Sequence, residues 1–500
     1  MGIQDMQLAE GRFQNRIGNG DSLWIGTIIV LLVSFCFSIY KASLASVTHD
    51  EAYSFLFLST LPISEIFKSY QLPNNHILHT LLLKLSTLQF GDSRLALRIP
   101  ALLGAAAFFA SFFYLCRAIR YPFLWSALIF TALVPGIYDF NASARGYSLG
   151  CAFWMIGTYC LARTLLVRTN LLSTDSNSFG QSKANEYAKL LRRAPLVVAG
   201  ISYGLAIACV PTFILACFPT CLAYLLIRTF PLSHSQLIST AVDGIALAAA
   251  AGATCLLFYF QIHTDPTSFA WGYGSFHEFQ HHFWKVLFKS SLTDPNSHLW
   301  LSGLVVALIS FNIIHAILSK QWALLHFSLS FLFSILLLFI LPLFGVLYPF
   351  ERAGIFFIPL IGLELAHSIG IVSRYLRTLT YPVAALPLLL FGYHVIAVEV
   401  PNTYLNDDLS APIEEALLHI HTEVKERKKV AISIHHLAGP SVGYFYRRHP
   451  DLKQKLTDVS AARYVLSNGL PPEAESRFTQ IPLHTHSFLN LYRRNRIKIQ

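Results

Sequence analysis

Charge is scarce in this 500-residue chain: only 13% of its residues are Asp, Glu, Lys or Arg, about half the share of a soluble domain. That scarcity argues against a soluble globular enzyme and against a disordered chain. Strand-like alternation is missing from the apolar runs, which excludes a transmembrane β-barrel. The eight cysteines, Cys36, Cys116, Cys151, Cys160, Cys209, Cys217, Cys221 and Cys255, all lie inside or at the edge of apolar runs. None forms a Cys-x-x-Cys pair, so neither a disulfide framework nor a zinc site of that spacing is expected. No P-loop, zinc finger or basic recognition helix occurs. The net charge of +10 therefore does not signal nucleic-acid binding. Most Lys and Arg sit at the ends of apolar runs or in the tail, where they orient a membrane protein. Internal repeats are absent, and the first apolar run lacks a signal-peptide cleavage site.

What is abundant is apolar sequence, 54% of the chain, with a mean hydropathy of +0.51. Backbone groups in lipid must satisfy one another, so the runs across 22–398 are expected to be helices. The predicted fold is an all-α polytopic membrane protein with a small C-terminal α/β domain. Residues 1–21 form a polar N-terminus on the cytoplasmic side. About eleven spans follow, at 23–40, 95–116, 122–138, 148–167, 195–210, 212–228, 238–261, 298–318, 322–347, 353–372 and 378–398. Their positive ends fall mainly on one side, with Arg94, Arg98, Lys285 and Lys289 as exceptions. Residues 76–90 are too short to cross. They carry His76, Thr80, Lys84 and Thr87 on one face and leucines on the other, so they predict a helix lying along the membrane surface; a short second span is the plain alternative. Residues 41–94 make a long outer loop. The charge-rich 401–500 predicts a helix over Pro412–Lys425, a strand at Val430–Ile434, a helix over Ser441–Arg448 and a strand at Arg463–Leu466.

Chemistry-bearing residues gather in the outer loops. Asp50 and Glu51 are adjacent carboxylates just after the first span; a helix N-cap is the plain alternative. Asn75 and His76 lead into the surface helix and suit either a turn or a sugar contact. Asp139, Arg145 and Tyr147 lie between two spans, where an arginine can also snorkel to the interface. Glu351 and Arg352 begin a later span, where an ion pair is the plain reading. The predicted topology puts all four groups on one face. Together they supply carboxylates for proton abstraction and guanidinium forks for a phosphate. His277, Glu278, His281 and His282 have helical pair spacing but no apparent third ligand, so no metal or other cofactor is expected. Glu364 and His367, inside a span, read as structural hydrogen-bond partners.

The series HDEAY at 49–53, NNHILHTLLLKL at 74–85, SRLALRIPALLG at 93–104, ARGY at 144–147 and ER at 351–352, followed by Pro359, resembles the type-C membrane glycosyltransferases. The similarity is to bacterial relatives of the protein O-mannosyltransferases and spans roughly residues 20–375. An Arg-Leu-Pro-like element reads Arg98-Ile99-Pro100 here. The resemblance implies a glycosyltransferase in a bacterial inner membrane, with a polyprenyl-phosphate sugar donor and an acceptor hydroxyl reached from the outer side. It implies Asp50 as the catalytic base, with Glu51 positioning the acceptor or holding the site. The acceptor, whether glycan, lipid or protein, is not implied. A transporter or flippase of lipid-linked glycans is the alternative; it predicts broken spans, inverted repeats and mid-membrane charges.

Overall fold

The computed structural model describes residues 21–500 apart from 69–75, 120, 122, 174–181, 231–232, 260–271, 289–294, 376–409, 425–430, 435–437, 453–454, 458–461, 463, 468–477, 482–489 and 495–500. The first span is α1 (Asp21–Leu44), and the segment after it carries three short helices, α2 (His49–Tyr53), α3 (Ile63–Lys68) and α4 (Ile77–Phe90). The bundle continues through α5 (Arg94–Ile119), α6 (Leu124–Leu133), α7 (Pro135–Ala142), α8 (Tyr147–Ser173) and α9 (Ser182–Cys209). It is completed by α10 (Ile214–Thr229), α11 (His234–Tyr259), α12 (Phe276–Phe288), α13 (Pro295–Leu318), α14 (Trp322–Ile340) and α15 (Phe357–Tyr375).

Among the described residues, seven helices are long and apolar enough to cross a membrane, and four shorter apolar helices accompany them. At 1.5 Å per residue, the 24 residues of α1 reach about 36 Å, enough for a hydrocarbon core of about 30 Å. The span expected at 122–138 is interrupted: α6 stops at Leu133, Val134 is extended and α7 restarts at Pro135. The reason is local, because a proline pushes the residue before it out of the helical region. The span expected at 378–398 lies outside the described residues.

The 14 residues of α4 extend about 21 Å, too little to cross. Its protein-facing side is mixed: Ile77, His79, Thr80, Leu83 and Ser86 are buried, whereas Leu85 and Leu88 are exposed. Lys84 donates from Nζ to the carbonyls of Ser59 at 2.8 Å and Leu61 at 2.9 Å, tying α4 to the stretch between α2 and α3. Only the far end of the leucine face is open: Leu78, Leu81 and Leu82 pack against buried clusters of the protein.

Helix crossings are close where glycine permits it. A Cβ on Gly104 of α5 would lie 2.6 Å from the backbone nitrogen of Leu149 in α8. Polar side chains fasten other helices. Glu364 of α15 accepts from Asn312 of α13 at 2.6 Å and from Ser328 of α14 at 2.8 Å. His315 and His367 are 3.2 Å apart. These two intramembrane residues, Glu364 and His367, thus serve as cross-helix hydrogen-bond partners. All eight cysteines are free.

The C-terminal part contains α16 (Ser410–Val424), α17 (Gly439–Arg448) and the strands β1 (Ala431–Ile434), β2 (Lys455–Leu456), β3 (Tyr464–Ser467), β4 (Phe478–Ile481) and β5 (Asn490–Arg494). The sheet order is β2-β1-β3-β5-β4. β1 runs parallel to β2 and β3, while β5 is antiparallel to β3 and β4. Ile413, Leu417 and Ile420 of α16 pack with Val442 and Phe445 of α17 over Ile432, Leu466 and Leu491.

Candidate active site

The site begins where α1 ends. Thr48 caps α2 with extended backbone (φ −68°, ψ 162°). Its hydroxyl accepts from the Glu51 N–H at 3.2 Å, and Glu51 Oε2 accepts the Thr48 N–H at 2.8 Å. This reciprocal capping box satisfies two helix-end donors and fixes the orientation of α2. Thr48, not Asp50, is therefore the N-cap. A π-helical turn, Ser54–Leu58, follows directly.

Glu51 faces inward and is fully buried against Arg98 of α5. Arg98 donates through Nε to Oε1 and through Nη2 to Oε2, both at 2.9 Å. The Ala144 N–H adds a further bond to Oε1. With the Thr48 bond, four donors fill the acceptor sites of one carboxylate. Burial alone would push the Glu51 carboxyl up, but the Arg98 charge and the hydrogen bonds from Arg98, Ala144 and Thr48 outweigh it. The group is held below its ordinary value of 4.5. All four bonds hold the carboxylate in place, so both of its oxygens are occupied. Its geometry matches the other role considered for it, holding the site together.

Asp50, one residue earlier, points the other way and keeps 24% of its side chain exposed. Its Oδ2 pairs with Nη1 of Arg145 and, at 3.4 Å, with Nη1 of Arg352. Arg145 reaches there from the α7–α8 turn. A Cβ on Gly146 would lie 2.3 Å from the Cys209 carbonyl oxygen, so only glycine lets this turn settle against the end of α9. Arg352 comes from a short turn at 351–354 that contacts α12. Its guanidinium also lies 5.2 Å from the Phe350 ring centre.

His76 completes the cluster, with Nε2 3.4 Å from Nη2 of Arg145 and its ring edge-on to Tyr147 at 5.6 Å. Burial, followed by the Arg145 charge and the neighbouring His79, pushes His76 well below 6.5. His79 is pushed down to about 3, again by burial first and Arg145 second. Both imidazoles are neutral near pH 7. Buried atoms His76 Nδ1, His79 Nε2 and Arg145 Nε make no hydrogen bond among the described residues.

Asp139, expected to bind substrate, is buried and ion-paired with Lys41 in the last turn of α1. Two opposite charges removed from water neutralise each other there. Asn75 lies outside the described residues. Glu351 falls in the same turn as Arg352. Among the described residues, no group of three or more His, Cys, Asp or Glu comes together to hold a metal.

Sequence reasoning missed Arg98, His79 and Lys41. Arg98 carried a usable signal: an arginine inside LALRIPALLG must find a buried anion, and Glu51 was the unexplained half of an acidic pair. Lys41 and His79 carried none beyond polarity at an apolar edge.

No family model and no curated protein matches this sequence. Among solved structures, the chain is similar to ArnT from Cupriavidus metallidurans in the apo state, at 12% identity and a TM-score of 0.46, over 95% of this chain and 98% of that one. It is also similar to ArnT bound to undecaprenyl phosphate, at 12% identity and a TM-score of 0.44, over 96% and 99%. A third is the archaeal oligosaccharyltransferase AglB from Archaeoglobus fulgidus with an inhibitory peptide and a dolichol-phosphate, at 12% and 0.45, over 95% and 75%.

Proposed function

We propose that the chain is an inverting glycosyltransferase that moves a sugar from a polyprenyl-phosphate donor to an acceptor hydroxyl at the outer face of a bacterial inner membrane. One observation carries this reading: Asp50, Arg145, His76 and Arg352, drawn from four distant stretches of sequence, meet at one partly open point. A carboxylate beside two guanidiniums matches the needs of transfer from a phosphate. The membrane-spanning bundle leaves the polyprenyl tail in lipid while its head reaches the loop.

In the reaction, the acceptor oxygen attacks the anomeric carbon and its proton passes to Asp50. The bond from that carbon to the phosphate oxygen breaks, and its electron pair leaves with the phosphate. General-base assistance is worth roughly 10²–10⁴-fold. Arg352, the more exposed of the two arginines, meets the phosphate first, and Arg145 holds it from beneath. Their charge counts most as the leaving phosphate gains charge. The Nδ1 of His76 and the Nε of Arg145 supply further donors to the donor's oxygens.

Both guanidiniums hold Asp50 Oδ2. An arriving phosphate competes for them and frees that oxygen to accept the acceptor's proton. Glu51 and Arg98 brace the loop from behind.

A radiolabelled transfer assay across a panel of polyprenyl-phosphate sugars tests the reading, with wild type and Asp50→Asn compared on equal amounts of folded protein. Transfer by wild type from at least one donor, slowed about 10²-fold or more in the variant, is the expected result. Equal transfer by both ends the carboxylate-base mechanism.

A further inference from the structure

The C-terminal domain does not stand apart from the site. Helix α17 lies directly on α2 and the π turn after it. Tyr444 is buried in one apolar cluster with Val47, Ala52, Phe55, Leu97 and Ala144. Its ring meets Phe55 edge-on at 5.9 Å, and the Arg447 guanidinium lies 4.8 Å from the Phe55 ring centre. Ala52 belongs to the helix that carries Asp50. Ala144 precedes Arg145 and donates its N–H to Glu51. A single tail residue therefore packs behind both halves of the Asp50–Arg145 pair.

Polar contacts tie the same seam. Tyr444 donates from its hydroxyl to the Asp92 carbonyl at 2.9 Å, and Arg447 Nε donates to the Asp92 carboxylate at 3.3 Å. Both carboxylate oxygens of Glu414 in α16 accept from Nη2 of Arg94, and Oε2 accepts a bond from the Ser46 hydroxyl at 3.3 Å. Arg94 also donates to the Leu44 carbonyl, the last residue of α1, at 2.6 Å. The tail thus grips the chain upstream of Asp50 at Ser46 and downstream at Phe55.

We infer that Glu414 and Tyr444 are positioning residues of the active site: the C-terminal domain clamps the first outer loop and sets Asp50 against Arg145. The inference rests on the reading of Asp50 as the base. A carboxylate displaced by about 1 Å from its productive place can cost 10²-fold in rate. The clamp therefore acts on turnover, and donor binding through Arg352 is left largely alone.

The test uses the full-length protein with Arg94→Glu, Glu414→Arg and the exchanged pair Arg94→Glu/Glu414→Arg. Two measurements are made: transfer kinetics, and hydrogen exchange of the backbone amides at 48–58 and in β1 and β3. Each single variant is expected to lower kcat by roughly 10-fold or more, with donor KM within about twofold. Exchange at 48–58 should quicken while β1 and β3 stay protected. The exchanged pair should recover most of the lost kcat and the protection at 48–58. Wild-type kcat in the single variants overturns the inference. So does a loss that the exchanged pair fails to rescue, or one accompanied by loss of protection in β1 and β3, because the tail would then matter only for folding. Asp50→Asn runs in the same assay. Full transfer by that variant sinks the base assignment, while the exchange at 48–58 still reports whether the clamp orders the loop.

Discussion

Replacing Glu51 with Gln should be a folding defect, and its size follows from the contacts. Glu51 Oε1 receives Arg98 Nε and the Ala144 N–H, while Oε2 receives Arg98 Nη2 and the Thr48 N–H. Whichever oxygen becomes an amide NH₂, it meets two N–H donors. Two hydrogen bonds are lost, each worth about 1 kcal/mol net if both partners were neutral. The larger effect is the guanidinium left without an anion: both side chains are 0% exposed, and breaking a buried pair by removing one partner costs about 3–5 kcal/mol. Arg98 keeps the carbonyls of Ala42, Ala45 and Ser46 at 2.7–2.8 Å, which places the cost at the lower end, about 3 kcal/mol.

The assay is thermal unfolding in detergent, followed by transfer measured on the folded fraction. Glu51→Gln should lose thermal stability and activity together, whereas Asp50→Asn should lose activity at a nearly unchanged unfolding temperature. Replacing the pair with apolar side chains, Glu51→Leu with Arg98→Met, should recover much of the stability, because no unpaired charge remains. A Glu51→Gln protein that unfolds and transfers like wild type would refute the reasoning, since its carboxylate would then not be sealed against Arg98.

Asp50→Asn should bind a polyprenyl phosphate more tightly than wild type, because the carboxylate no longer competes for Arg145 and Arg352; weaker binding in a direct titration would contradict that competition. Arg352→Lys keeps a charge but loses the planar fork, so donor KM should rise and kcat fall with acceptor KM little changed; a selective acceptor defect would reassign the residue. His76 and His79 are both held below 6.5 in the folded protein, so the unfolded chain binds more protons than the native one as pH falls. Stability should be complete above about pH 6.5 and decline below it, by up to roughly 1.4 kcal/mol per pH unit for each histidine. Glu51 acts with the same sign but only below its ordinary 4.5, so between pH 6.5 and 5 these two histidines contribute a loss that it does not, and His79→Gln should make an unfolding-temperature profile shallower there. A cysteine at the exposed position Arg117 should resist an impermeant thiol reagent in intact cells; labelling there would reverse every span after α4.

The architecture was readable because it follows from composition. Apolar runs of about 20 residues can only be helices in lipid, and the tail's change to dense charge marks a separate α/β unit. The break at Val134–Pro135 was missed: proline restrains the residue before it, but the apolar content on both sides hid the interruption. At the site, residue type and loop position were enough to gather Asp50, His76, Arg145 and Arg352, which meet despite separations of up to 302 residues. Burial was not readable. Nothing local announces that Asp139 is paired with Lys41, 98 residues away by subtraction of their numbers. The same gap hid the seam beneath α17, because Tyr444 and Glu414 lie in a polar tail whose docking surface no local pattern announces.

The acidic pair itself shows how one local rule separates two roles. Successive residues on a helix are turned by about 100°, so adjacent side chains at 50 and 51 cannot face the same environment. Glu51 occupies the third helical position, where its side chain reaches back to the Thr48 N–H and closes the capping box. That position also turns it inward to Arg98, and the rotation sends Asp50 outward between Arg145 and Arg352. The helix is only five residues long and has little stability of its own. The capping box, the Arg98 pair and the tail helix packed upon it supply what its length does not. A carboxylate that must meet a reacting hydroxyl within about 3 Å is thus carried on a short, mobile type of element held from three sides. The strongest of those holds is the neighbouring residue.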